Sequence, residues 1–229
     1  MNREEIDRWI EKEKSTVLRD FTDITFGIDN IIDFKDGTDI SNRYFIKNIK
    51  VLDKYSEKIS EIEGMIGKKK KVLFFTVDDL DKEKVNKLID ECNRYKNQYK
   101  DVFEKMSFCR ECKCLNCIND CKFSSCNTCY KRGKVTECDK KEHEIVMFNN
   151  TKAELYNSET MVYDTVNVLT QVNILSKNTL YRVIEANGDY LILTYSKEIN
   201  GKETYGEVKD TEAFDYVSEA YERNIENLI

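Results

Sequence analysis

The sequence predicts an α+β chain built of separate modules. An N-terminal heptad-patterned helical hairpin or small bundle fills residues 1–107. A central cysteine-rich module fills 108–144, and a small antiparallel β-barrel fills 158–222. Three observations predict this. Apolar residues recur every seven positions in the first half. Eight of the nine cysteines and the only histidine fall between Phe108 and Glu144. The last third switches to a period of two, punctuated by two Asn-Gly pairs.

The helical module rests on three stretches, at about 3–33, 41–66 and 80–107. Ile10, Val17, Ile24 and Ile31 form one row of the first, with Phe21 and Ile28 beside it and Lys14 interrupting. Phe45, Leu52, Ile59 and Ile66 form the row of the second, beside Tyr55 and Ile62. Val85, Cys92, Tyr99 and Met106 form the third, beside Leu88, Tyr95 and Val102. Such spacing lays an apolar stripe along one helix face. Cys92 reads as a small buried hydrophobe. Between the second and third stretches runs "GKKKKVLFFTVDD". Its Lys68–Lys71 form a basic knot, and Val72–Val77 read as a short strand or apolar loop.

The cysteines are spaced Cys109-x2-Cys112-x-Cys114-x2-Cys117-x3-Cys121-x4-Cys126-x2-Cys129-x8-Cys138, followed by His143. Each C-x2-C turn lets two thiolates converge on one tetrahedral ion at about 2.3 Å. Eight thiolates fill two four-coordinate zinc sites. The expected cofactor is therefore zinc, two ions per chain, with His143 as a candidate extra ligand. Pairing stays open: Cys109 and Cys112 with Cys126 and Cys129, or sequential filling. An iron–sulfur redox protein is the competing reading. Cys114-x2-Cys117-x3-Cys121 follows the later half of a bacterial ferredoxin run, but the preceding gap is one residue short and no proline follows. A disulfide framework does not suit a cytosolic chain.

The metal expected here is structural. Catalytic zinc keeps an open position among His and carboxylate ligands, whereas thiolates saturate the ion. One histidine excludes HExxH, and no Gly-rich phosphate loop is present. The chain is thus expected not to be an enzyme. So few apolar residues lie in 108–143 that metal must supply the folding free energy, on the order of 10–16 kcal/mol for structural zinc. Lys131, Arg132 and Lys134, beside Tyr130, form a candidate nucleic-acid contact loop. The module's surplus of 8 Lys+Arg over 5 Asp+Glu is small. Each four-thiolate zinc site adds about −2 and works against it.

In the last third, "TVNVLTQVNIL" places Val166, Val168 and Val172 as inward residues of a strand. "LYRVIEANGDYLILTY" sets two β-rich runs around Asn187-Gly188, the strongest short hairpin signal. "INGKETYGEV" repeats the device at Asn200-Gly201. With "AFDYV" as a closing strand, residues 160–220 resemble the small SH3-like β-barrels of bacterial and phage proteins. That resemblance implies a fold and no particular activity. The proline-binding aromatic groove of eukaryotic SH3 domains is not matched, since the only Trp is Trp9. The tail "SEAYERNIENLI" reads as a final helix.

Composition bounds the rest. Charged residues make up 35% of 229, which argues for thin cores and wide surfaces. The net charge is −6, and residues 144–229 carry 7 Lys+Arg against 15 Asp+Glu. The absence of proline among many Lys, Asn and Ile points to an AT-rich genome, such as a low-GC bacterium or its phage. "MNREEIDRWIEKEK" has no apolar run after its charges, and "VLFFTV" is too short to span a bilayer. A cytoplasmic chain without membrane association is expected. The function expected is that of a non-enzymatic, zinc-stabilised protein-binding accessory protein, of unknown partner, acting as an inhibitor or adaptor of a host protein machine. A nucleic-acid-binding zinc regulator using Lys131–Lys134 is the alternative.

Overall fold

The computed structural model describes residues 1–34, 41, 43–66, 69–72, 75–78, 81–118, 121–123, 133–157, 161–199 and 201–227. The chain is α+β and divides into two compact units. Met1–Phe34 and Ile40–Arg110 belong to the first, and Glu111–Ile229 to the second.

The first unit is helical. Helices α1 (Arg3–Glu13) and α2 (Arg19–Phe34) are joined by a π-helical segment, Lys14–Leu18. Then follow α3 (Tyr44–Ile66), a hairpin of β1 (Lys69–Val72) and β2 (Phe75–Asp78), α4 (Lys82–Gln98) and α5 (Lys100–Glu111). Asn2 opens α1 with a reciprocal capping box to Glu5, and Asp81 caps α4 through the Lys84 N–H. The expected rows are buried: Ile10, Val17, Ile24 and Ile31, then Phe45, Leu52, Ile59 and Ile66. α3 packs against both α2 and α4.

The third stretch departs from a single heptad run. It breaks at Tyr99 into α4 and α5, although Val85, Cys92 and Met106 of the expected row stay buried. Ile89 is buried where Leu88 was expected, and Phe103 replaces Val102. Glu13 lies on the same face of α1 as buried Ile6 and Ile10 and is 4% exposed, while Lys14, where the π-helical segment begins, turns out to an ion pair with Glu63. Glu13 accepts from the Tyr55 hydroxyl at 3.0 Å and from Lys96 Nζ at 2.7 Å. Burial, then the Glu13 charge, push the Tyr55 phenol well above its ordinary value. Cys92 is buried in the core, as expected, and burial pushes its thiol up to about 11.

The second unit is a six-strand antiparallel sheet in sequential order. Its strands are β3 (Gly133–Cys138), β4 (His143–Asn157), β5 (Val162–Ile174), β6 (Thr179–Ala186), β7 (Asp189–Lys197) and β8 (Glu203–Glu207). Both faces are covered. On one, Ile145, Met147, Val172, Ile174, Tyr181 and Val183 pack under α6 (Thr211–Asn224), through its Ala213, Val217 and Ala220. On the other, Val135, Val146, Phe148, Val166, Val168 and Ile184 meet Cys112, Cys114 and Cys138. Two buried faces explain the unbroken run Ile145–Phe148, whose residues alternate between the two cores.

The sheet corrects three expectations. It is open, with β3 and β8 at its edges, and is not a closed barrel. "AFDYV" is not a closing strand but lies in α6, whose Asp210 N-cap accepts from the Ala213 N–H at 3.1 Å. Val166 and Val168 face one core while Val172 faces the other, because a bulge between Val168 and Thr170 reverses the alternation. The Asn187-Gly188 hairpin is as expected, with φ of 55° and 91° at its two central residues. Asn200 lies outside the described residues. No helix among the described residues is long and apolar enough to cross a membrane.

Candidate metal centre and binding groove

The cysteine stretch runs from α5 through a 3-10 turn, Lys113–Asn116, and ends in β3. Cys109 is buried on α5 in the helical unit. Cys112 packs against the sheet, and its Sγ accepts from the Val135 N–H at 3.4 Å. Cys114, Cys117, Cys121 and Cys138 line a single cavity of about 230 Å³. Phe123 and Glu144 complete its wall, with Lys113, Lys122 and Lys140 around it. None of the six described cluster cysteines is in a disulfide. Cys126, Cys129, Lys131 and Arg132 lie outside the described residues.

Local structure explains this grouping. The 3-10 turn buries Leu115 and so turns the flanking Cys114 and Cys117 together. Buried Phe123 anchors the chain after Cys121, whose Sγ donates to the Phe123 carbonyl at 2.9 Å. Cys138 ends β3 opposite Glu144 in the β3–β4 register. Burial pushes the Cys138 thiol up to about 11, against a lowering backbone hydrogen bond with Lys140. Glu144, Cys121 and Cys117 push in the same direction as burial. As the side chains stand, no three His, Cys, Asp or Glu among the described residues converge closely enough to hold an ion.

His143 does not line this cavity. Its ring lies 4.4 Å from that of Tyr216, and its Nδ1 is 3.3 Å from Asp139 Oδ2. It sits beside Glu144 on β4, so the pleat sends the two side chains to opposite faces. Lys134 is also not where a phosphate-contacting loop needs it. It is 8% exposed, in β3, and paired with Glu111 at 2.9 Å. Glu144 was missed from sequence, because a glutamate beside a histidine reads as surface.

A second feature, also missed, arises from the open sheet. A cleft of about 1160 Å³ runs between the far half of β4 and the edge of β8. Its walls include every residue from Lys152 to Tyr156 and from Lys202 to Val208. Consecutive residues point to alternate faces of a strand, so the cleft follows the strand edges and not one face. Among the described residues, β8 pairs with β7 alone, and β4 beyond Phe148 pairs with β5 alone. Tyr156, Met161, Val162 and Tyr163 are exposed at the end of the β4–β5 ribbon, the two tyrosine rings 5.2 Å apart. Arg182 buttresses the floor. It is 4% exposed, 3.3 Å over the Tyr195 ring, and donates to the Tyr205 hydroxyl at 2.5 Å.

Comparison with family models, with curated proteins and with solved structures finds no match for this chain.

Proposed function

We propose that the chain is a non-enzymatic, zinc-stabilised protein-binding accessory protein of a bacterium or phage, acting as an inhibitor or adaptor of a host protein machine. The cleft along the β8 edge carries this reading. Strand edges in a cleft are what a partner segment pairs with when it adds a strand to a sheet. Exposed tyrosines beside it supply the rigid apolar contact area typical of binding hot spots. The cysteine cavity supports the zinc part of the reading. It packs against the face opposite α6, so a metal there fastens that face of the sheet.

The nucleic-acid reading has less support. Lys134 is buried and paired, and residues 144–229 are strongly acidic. A salt titration of binding to duplex and single-stranded DNA and RNA checks it. Weak binding that vanishes at moderate salt without sequence preference excludes it.

The test of protein binding compares the full chain with a Tyr156→Asp/Tyr163→Asp variant in capture from host lysate. Both tyrosines are exposed, so the variant's stability should stay within about 0.5 kcal/mol for each change. A stoichiometric partner held by the unsubstituted chain and lost by the variant is expected. No stoichiometric partner, or one indifferent to the substitutions, contradicts the reading.

A further inference from the structure

We propose that Cys114, Cys117, Cys121 and Cys138 form one closed four-thiolate zinc site, with none of its ligands drawn from Cys109 or Cys112. The proposal rests on the zinc reading above and goes beyond it by naming one ligand set. The sequence leaves the partition of eight cysteines open. The fold narrows it, because these four thiols line one cavity and neither Cys109 nor Cys112 does. Cys109 is buried on α5, and Cys112 packs against the sheet core beside Val135. Sequential filling would instead join Cys109 and Cys112, which lie outside the cavity, to Cys114 and Cys117, which line it.

Three further features suit an ion here. The ligands come from three anchored places: the turn that buries Leu115, the chain held by Phe123, and the end of β3. A site built this way ties a local turn to a strand, which is how structural zinc stabilises a small fold. The charge also matches. Four thiolates around one zinc carry about −2, and Lys113, Lys122 and Lys140 surround the cavity. The set left over in the sequence, Cys109, Cys112, Cys126 and Cys129, is two intact C-x2-C pairs.

The thiols must still converge, since no three of them meet around a point as they stand. Rotation between staggered χ1 wells moves each Sγ while leaving the backbone in place. Binding then forms four S–Zn bonds and releases the four thiol protons to solvent, with no change of oxidation state. Glu144 is the carboxylate in the wall. It stays outside the proposed set because four thiolates complete the tetrahedron.

The test uses the full chain with cadmium-113 in place of zinc, read by proton–cadmium correlation. One cadmium resonance should couple to the β-protons of Cys114, Cys117, Cys121 and Cys138 and to no other cysteine. A resonance joining any of these to Cys109 or Cys112, or lacking Cys138, overturns the ligand set while leaving the zinc reading intact. A chain that takes up neither zinc nor cadmium overturns both. As a second measurement, Cys138→Ser should lower zinc content by one ion per chain, whereas Cys109→Ser should leave the Cys138-coupled resonance in place. Unchanged zinc content in folded Cys138→Ser counts against the proposal.

Discussion

Glu13 shows how far a single residue can depart from its sequence signal. In "RWIEKEK" it reads as one more solvated helix acid. It lies one turn beyond Ile10 on the buried face of α1, where Tyr55 and Lys96 satisfy its oxygens. Glu13→Ala leaves the buried Tyr55 hydroxyl without that acceptor, and we expect a loss of about 1–3 kcal/mol in urea unfolding. An unchanged midpoint would mean that the Tyr55 hydroxyl finds a new partner at no cost. Asp139 offers a pH test. Burial raises its pKa, but N–H bonds from His143, Glu142 and Lys141 prevail and hold the carboxyl well below the usual range. A folded pKa below the unfolded one gives stability that is present above the unfolded value, about 3.9, and is lost as pH falls through the folded one. The melting temperature of the full chain should therefore fall between about pH 4 and pH 2, and less steeply in Asp139→Asn. Parallel curves would rule out this role. At this scale the spacing of the cysteines pointed to a shared site, and four of them, Cys114, Cys117, Cys121 and Cys138, line one cavity. Glu144 and Glu13 were not legible, because burial of a charge depends on long-range packing.

Elements were legible where one local rule dominated. Heptad rows fixed the helices to within a few residues, and Asn187-Gly188 fixed its hairpin. At Gly188 φ is +91°, so Gly188→Ala should cost about 1–2 kcal/mol, measured by chemical denaturation. A neutral effect would mean that the turn relaxes to another type. The segment "AFDYV" was misread because its apolar residues fit a strand as well as a helix. The deciding signal was Asp210, three residues before Ala213, which caps α6 and also pairs with Lys177. Asp210→Ala should destabilise the sheet unit by about 1 kcal/mol. The bulge after Val168 was invisible, since no Gly or Pro marks it. It alone decides which core Val172 joins.

At the scale of the whole chain, the division falls at Arg110, where the sequence placed the start of a separate cysteine module near residue 107. The described cysteines from Glu111 onward belong to the sheet unit: β3 pairs with β4, and Cys112, Cys114 and Cys138 pack on one of the sheet's faces. Sequence could not show this. β3 is six residues long, and its pairing is set by contacts outside the cluster. The barrel failed to close for a related reason: "AFDYV", assigned to closure, went to a helix and left the β8 edge open. Chelation should therefore make the described part of 111–138 sensitive to limited proteolysis while the N-terminal helices keep their circular dichroism. Simultaneous loss of both would show that the metal holds more than the sheet unit.

What the cysteines hold decides how the chain from Glu111 to Cys138 is fastened to the sheet. The most direct measurement is metal content by elemental mass spectrometry, with an absorption spectrum, on the full chain purified without chelator or added metal. Two zinc ions per chain and no visible absorption are the predicted result, from eight clustered cysteines at four per ion. Iron with a visible charge-transfer band, or no metal at all, would contradict it.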